Sequence, residues 1–239
     1  MPNLNIAIIG ASGGIGNAFV KLLSNDSTHI VHALSRSDIK SDNKNVHIGK
    51  INFTDESSIS AAAERVTQHF PLDLVIVASG VLHDTDMTPE KSLRDLSATN
   101  FERNFFANTI VPSLVAKHFL PKMQRNKRAV FAALSARVGS ISDNRLGGWY
   151  AYRASKAALN MVIKTTSIEI ARRQKQTIVV GLHPGTVATK LSEPFQKRVQ
   201  PEKLFTADVA AKQLVDVLNN LSEADSGKIF AWDGSEVPY

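Results

Sequence analysis

The chain has 239 residues, 43% of them hydrophobic and 21% charged, with a net charge of +6 and no cysteine. That balance fits one large folded domain spanning residues 1–239 and leaves no disulfide or thiolate metal site. No apolar run approaches the ~18 residues of a membrane span, and the basic residues are scattered except for Arg125, Lys127 and Arg128 in an expected solvated loop, so neither membrane nor nucleic acid is an expected partner.

Short β-rich apolar runs alternate with amphipathic stretches, which predicts an α/β chain with a doubly wound parallel sheet and helices on both faces. The first strand, Asn5–Ile9, begins close to Met1, leaves no room for a leader, and predicts a cytoplasmic protein. It runs into Gly10-Ala11-Ser12-Gly13-Gly14-Ile15-Gly16 and a helix over Gly14–Ser24. Glycines at a strand-to-helix turn let the backbone approach a pyrophosphate, and the first helical turn favours negative charge. Gly10, Ser12, Gly14, Ile15 and Gly16 are therefore candidate cofactor contacts.

The second strand, Ile30–Leu34, ends in Ser35-Arg36-Ser37. An acidic side chain there would accept from ribose hydroxyls, whereas Arg36 pairs with a 2′-phosphate, which predicts NADP(H) in preference to NAD(H). Next come a helix over Ser57–His69, a strand over Leu74–Ala78, a loop over Gly80–Arg94 and a long helix within Ala98–Met123. A strand at Ala129–Leu134 leads to a helix over Tyr150–Arg173, and strands at Ile178–Leu182 and Lys228–Trp232 bracket a loop over Gly185–Leu204 and a helix over Ala207–Asn219. Tyr152 and Lys156 stand one helical turn apart, so the ammonium is expected to stabilise a phenolate and lower the tyrosine's pKa. The seven histidines show no metal-ligand spacing. His183, at a strand end, is read as structural.

The glycine string, together with Tyr152-Arg153-Ala154-Ser155-Lys156, resembles the short-chain dehydrogenase/reductase family over essentially the whole chain. The segment Gly139 to Tyr150 is similar to that of the branch holding C-factor-like proteins and sniffer-type carbonyl reductases. The resemblance implies a Rossmann fold and an NADP-dependent oxidoreductase that moves hydride reversibly between the nicotinamide and a small carbonyl or alcohol substrate. Tyr152 would be the general acid/base, and Lys156 would tune it and grip the ribose. Asn52 and Phe53 would lie beside the adenine, Ala78-Ser79-Gly80 would match the family's Asn-Ala-Gly segment, and Pro184, Gly185, Val187 and Thr189 would face the nicotinamide.

Counting back from Leu120-Pro121 makes Asn108 the match for the family's helix asparagine, with Asn104 as the alternative. The carbonyl-binding serine normally stands three residues before Gly139, where this chain has Ala136; Ser135 sits one residue early, and Ser140 or no serine are the other readings. A dinucleotide-binding signalling protein with weak or no catalysis is the alternative function. A homo-oligomer, dimer or tetramer, is left open. Substrate contacts are expected from His83–Thr88, Ile141–Trp149 and Leu191–Leu204, with Trp149 and Phe195 walling an apolar pocket.

Overall fold

In β1 (Asn5–Ile9) successive side chains serve opposite cores. Ile6 and Ile8 pack to one side of the sheet, Ala7 and Ile9 to the other, and all four are fully buried. Such a strand must be central and covered on both faces. The structure is a computed structural model and describes residues 3–239.

Around β1 lie β2 (Ile30–Ser35), β3 (Val46–Lys50), β4 (Leu74–Val77), β5 (Ala129–Leu134), β6 (Thr177–His183) and β9 (Ile229–Ala231). They form a seven-stranded parallel sheet in the order β3-β2-β1-β4-β5-β6-β9. Helices α1 (Gly14–Leu23) and α6 (Ala207–Asn220) cover one face, where Phe19, Leu214 and Leu218 pack on Ile6, Ile8 and Ile76. Helices α2 (Glu56–Val66), α4 (Val111–Phe119) and α5 (Tyr150–Ala171) cover the other, where Ile59, Val115, Phe119 and Leu159 meet Ala7, Val75 and Phe131. Each such large side chain, taken from water, contributes about 1.5–3 kcal/mol. The strand order reverses between β1 and β4, and the carboxyl ends at that switch form the crevice where open α/β sheets hold ligands.

The sheet is the predicted doubly wound one, with differences at its margins. Strand β3 escaped the sequence pattern because it is an edge: it pairs only with β2, and its Val-His-Ile-Gly-Lys is part exposed. A small parallel pair, β7 (Thr186–Val187) with β8 (Leu204–Phe205), lies within and just beyond the predicted loop after β6. Helix α2 stops at Val66, short of the predicted His69, where the Thr67 hydroxyl turns back to the Ala63 carbonyl at 2.8 Å.

The predicted long helix is broken into α3 (Ala98–Phe105), a π-helical turn over Phe106–Ile110, and α4. Pro112 explains the break. It has no N–H for the carbonyl of Asn108, and its ring crowds that carbonyl. The ladder slips by one residue, so that the Val111 amide bonds the Phe106 carbonyl instead.

Candidate active site

The glycine turn is clamped from both sides. Gly10, at φ +88°, is a conformation L side chains rarely adopt, and the Gly10 and Ala11 amides both donate to the Leu34 carbonyl, at 2.9 and 3.0 Å. A Cβ on Gly10 would meet the Ser79 amide nitrogen at 2.8 Å, and one on Gly14 would meet the Thr189 methyl at 2.6 Å. Helix α1 then starts with no side-chain cap and no acid in its first turn. Its first amides are left without the usual partner, a fit for phosphate oxygens. Ser12 and Ile15 lie in the same turn. Ser79, beneath it, has a buried hydroxyl with no hydrogen-bond partner among the described residues.

At the end of β2 the guanidinium of Arg36 lies 5.6 Å from the centre of the Phe53 ring, on the protein surface. The nearest acid along the chain, Asp38, is paired with Lys50 at 2.6 Å. Asn52 uses its carbonyl oxygen on the Thr54 amide and hydroxyl, at 3.1 and 2.8 Å, which leaves its amide nitrogen for another partner.

The catalytic candidates meet where β4, β5 and α5 converge. Asn108, fully buried in the π-helical turn, accepts from the Val81 amide at 2.9 Å and donates to the Val81 carbonyl at 2.8 Å and the Ser155 hydroxyl at 3.1 Å. It thus acts as a strand partner for the segment after Gly80. A Cβ on Gly80 would touch Asn108 Oδ1 at 3.1 Å and Lys156 Nζ at 3.7 Å, so glycine keeps this junction open. Asn104, the other asparagine, is buried one turn earlier and accepts from Asn108 Nδ2 at 3.2 Å.

Lys156 is buried and donates to the Leu134 carbonyl at 2.7 Å, with Nζ 5.8 Å from the centre of the Tyr152 ring. Burial dominates both groups, which corrects the expectation from helical spacing. The ammonium is held down to about 7, and the Tyr152 hydroxyl is pushed above its ordinary value rather than below it.

The serine position is filled differently from a hydroxyl wall. Ala136 packs its methyl group in the cluster with Tyr152 and Leu82. Ser135 lines the same cavity, yet its hydroxyl donates to Asn160 Oδ1 at 2.6 Å. The Ser140 hydroxyl accepts from the Asp143 amide at 3.1 Å and does not line that cavity.

That cavity, of 250 Å³, is walled by Leu82, Ala136, Trp149, Tyr152, His183 and Phe195. Pro184, Gly185, Val187 and Thr189 form its floor toward Ile15 of the glycine turn, so the two halves of the sequence motif share one space. The rings of Trp149 and Phe195 stand 4.8 Å apart, and His83 meets Phe195 edge-on at 5.7 Å. Of the expected substrate loops, Leu191–Leu204 lines the cavity through Leu191, Ser192, Phe195 and Val199, whereas His83–Thr88 touches it only where His83 meets Phe195. Ile141–Trp149 reaches it only through Trp149, because Ile141 and Leu146 are 78% and 91% exposed.

Sequence reasoning missed Glu90. Buried at 3% exposure, its carboxylate accepts from the Ala151 amide at 3.2 Å and from Asn100 Nδ2 at 3.3 Å, and its carbonyl accepts from the Trp149 amide at 2.6 Å. It fixes the first turn of α5, where Trp149 takes the left-handed φ of 53°. No local pattern marks it; only the fold brings residue 90 to residue 151.

The short chain dehydrogenase family profile matches residues 4–200. The chain belongs to that family. It is a nicotinamide-dependent oxidoreductase, and its sheet order and paired Tyr152 and Lys156 accord with the membership. Among relatives of this short-chain dehydrogenase, the C-signal protein of Myxococcus xanthus is 32% identical over 148 residues, covering 62% of this chain and 84% of that protein. An uncharacterized oxidoreductase of Schizosaccharomyces pombe is 30% identical over 257 residues, covering 97% of this chain and 96% of its own. The crystal structure of an NADPH-bound carbonyl reductase from chicken fatty liver superposes with a TM-score of 0.84 at 28% identity, covering 100% of this chain and 96% of the other. Among the described residues no helix is long and apolar enough to cross a membrane, and no group of three or more His, Cys, Asp or Glu side chains is arranged to hold a metal ion.

Proposed function

We propose that this dehydrogenase reduces a small carbonyl compound with NADPH, reversibly, in the 250 Å³ cavity. The observation that carries the reading is the convergence of Tyr152 on that cavity with Lys156 and Asn108 behind it. When bound, NADPH supplies hydride from its nicotinamide C4 to the carbonyl carbon.

The chain's own residues do the rest. Gly10 shapes the turn, the amides of Ser12, Gly14, Ile15 and Gly16 hold the pyrophosphate, and Arg36 pairs with the 2′-phosphate. Asn52, Phe53, Ala78, Ser79 and Gly80 line the adenosine side. Pro184, Gly185, Val187 and Thr189 orient the carboxamide ring. Tyr152 gives its hydroxyl proton to the carbonyl oxygen as hydride reaches the carbon, so that an alcohol and a phenolate result. Lys156, which titrates near neutrality, holds a ribose hydroxyl and steadies that phenolate. Asn108 keeps the backbone beside Lys156 in register through Val81.

The reading is tested by titrating the purified protein with NADPH and NADH by cofactor fluorescence, then following NADPH oxidation with a panel of aldehydes and ketones. Tight NADPH binding with turnover supports it. NADPH binding without turnover of any carbonyl favours a second reading, a cofactor-binding signalling protein, for which the bonded Ser135 hydroxyl and the alanine at 136 argue.

A further inference from the structure

His183 closes β6 immediately before Pro184 and lines the cavity that Tyr152 lines. Its Nδ1 is buried and has no hydrogen-bond partner among the described residues. No partner is found for its Nε2 among the described residues either, and unlike Nδ1 that atom is not buried. A neutral imidazole carries one N–H and one bare nitrogen. A buried N–H without an acceptor is rarer and costlier than a buried acceptor without a donor. The proton therefore belongs on Nε2. Burial, reinforced by the charge of Arg137 and opposed by Asp233, holds the ring's pKa down to about 4, so it is neutral at pH 7.

Beside Tyr152, the position where carbonyl chemistry wants a hydroxyl donor does not supply one. Ala136 presents a methyl group beside Tyr152, Ser135 gives its proton to Asn160, and Ser192 gives its proton to the Val187 carbonyl. A developing oxyanion with only one donor is poorly stabilised. We propose that the Nε2–H of His183 binds the substrate's carbonyl oxygen alongside the Tyr152 hydroxyl, supplying the second donor from β6 instead of from the segment after β5. The proposal rests on the carbonyl-reductase reading. His183 keeps its proton throughout; only Tyr152 transfers one, and hydride still reaches the carbon from the cofactor. A residue first read as structural thereby becomes a contact to the reacting atoms.

The test compares wild type with His183→Phe, His183→Gln and His183→Asn. The readouts are kcat and KM for NADPH-dependent reduction of para-nitrobenzaldehyde and phenylglyoxal, and NADPH binding by fluorescence. The Phe variant should lose about 10- to 100-fold in kcat while NADPH binding stays within about twofold. Glutamine puts an N–H near the Nε2 position and asparagine near Nδ1, so Gln should recover most of the lost rate and Asn little. Should the Phe variant fail to bind NADPH through misfolding, the Gln and Asn pair decides. Wild-type kcat in a folded Phe variant, or equal recovery by Asn and Gln, overturns the proposal and leaves the reductase reading intact. Absence of any carbonyl reduction by the wild type overturns both, and is visible before a variant is made.

Discussion

Pro112 stands four residues beyond Asn108, and the hydrogen bond that Pro112 cannot donate is what frees Asn108 from the regular helix. The π-helical turn rotates the asparagine onto Val81, where its carboxamide satisfies one backbone donor and one backbone acceptor. Replacing Asn108 by Ala would leave both Val81 groups without that partner. Each such group costs about 1–3 kcal/mol, so Asn108→Ala should lower the unfolding free energy by roughly 2–6 kcal/mol, measured by urea titration, and reduce turnover as well. A loss below about 0.5 kcal/mol, the range of an ordinary surface change, would contradict the role given to the turn.

Tyr152→Phe removes the proposed proton donor and little else, since no protein hydrogen bond to that hydroxyl is found among the described residues. We expect kcat to fall by about 10²–10⁴, with NADPH affinity within about twofold of wild type. Retained turnover would exclude Tyr152 as the acid.

Burial of Lys156 makes a statement about stability. Its folded pKa, about 7, lies below the unfolded value near ~10.4. Between those values the unfolded chain binds the proton and the folded chain does not, so stability of the cofactor-free protein should rise as pH increases from 7 toward 10. Tyr152, shifted upward, acts in the opposite sense above about pH 10, where only the unfolded phenol ionises. Melting temperature measured from pH 6 to 10 should show the rise, and Lys156→Met should flatten it. A profile unchanged by that substitution would mean that Lys156 is charged in the folded protein across the range.

Arg36 makes no ion pair among the described residues and rests on Phe53. Arg36→Ala should weaken NADPH binding by about 10- to 100-fold, the worth of a charge-assisted hydrogen bond or two, and leave NADH binding nearly unchanged. Equal weakening of both would point to a role in packing the adenine side instead.

The features that were legible in the sequence share one property, locality. The glycine turn, the Tyr152 and Lys156 pair and the alternating strands each lie within a few residues, so spacing alone displays them. The edge strand β3 was hidden because it buries too little to carry a hydrophobic signature. Glu90 and Asn160 were hidden because their partners Ala151 and Ser135 stand 61 and 25 residues away, joined only by the fold. Spacing showed that Ser135 is one residue out of place, whereas its turn toward Asn160 required the packed β5 and α5. The Tyr152 expectation failed for a related reason: helical spacing describes who is near, and burial, which it does not describe, sets the sign of the shift.

Glu90 joins two things that are usually separate. The segment that lines the cleft beside Trp149 and Phe195, through His83, Thr88 and Pro89, is fastened by Glu90 to the turn that carries Trp149 and Tyr152. Glu90 is thus a second tie between that loop and α5, beside the Asn108 side chain that joins Val81 to Ser155. A change that pulls on that segment therefore also reaches the turn that carries the proton donor.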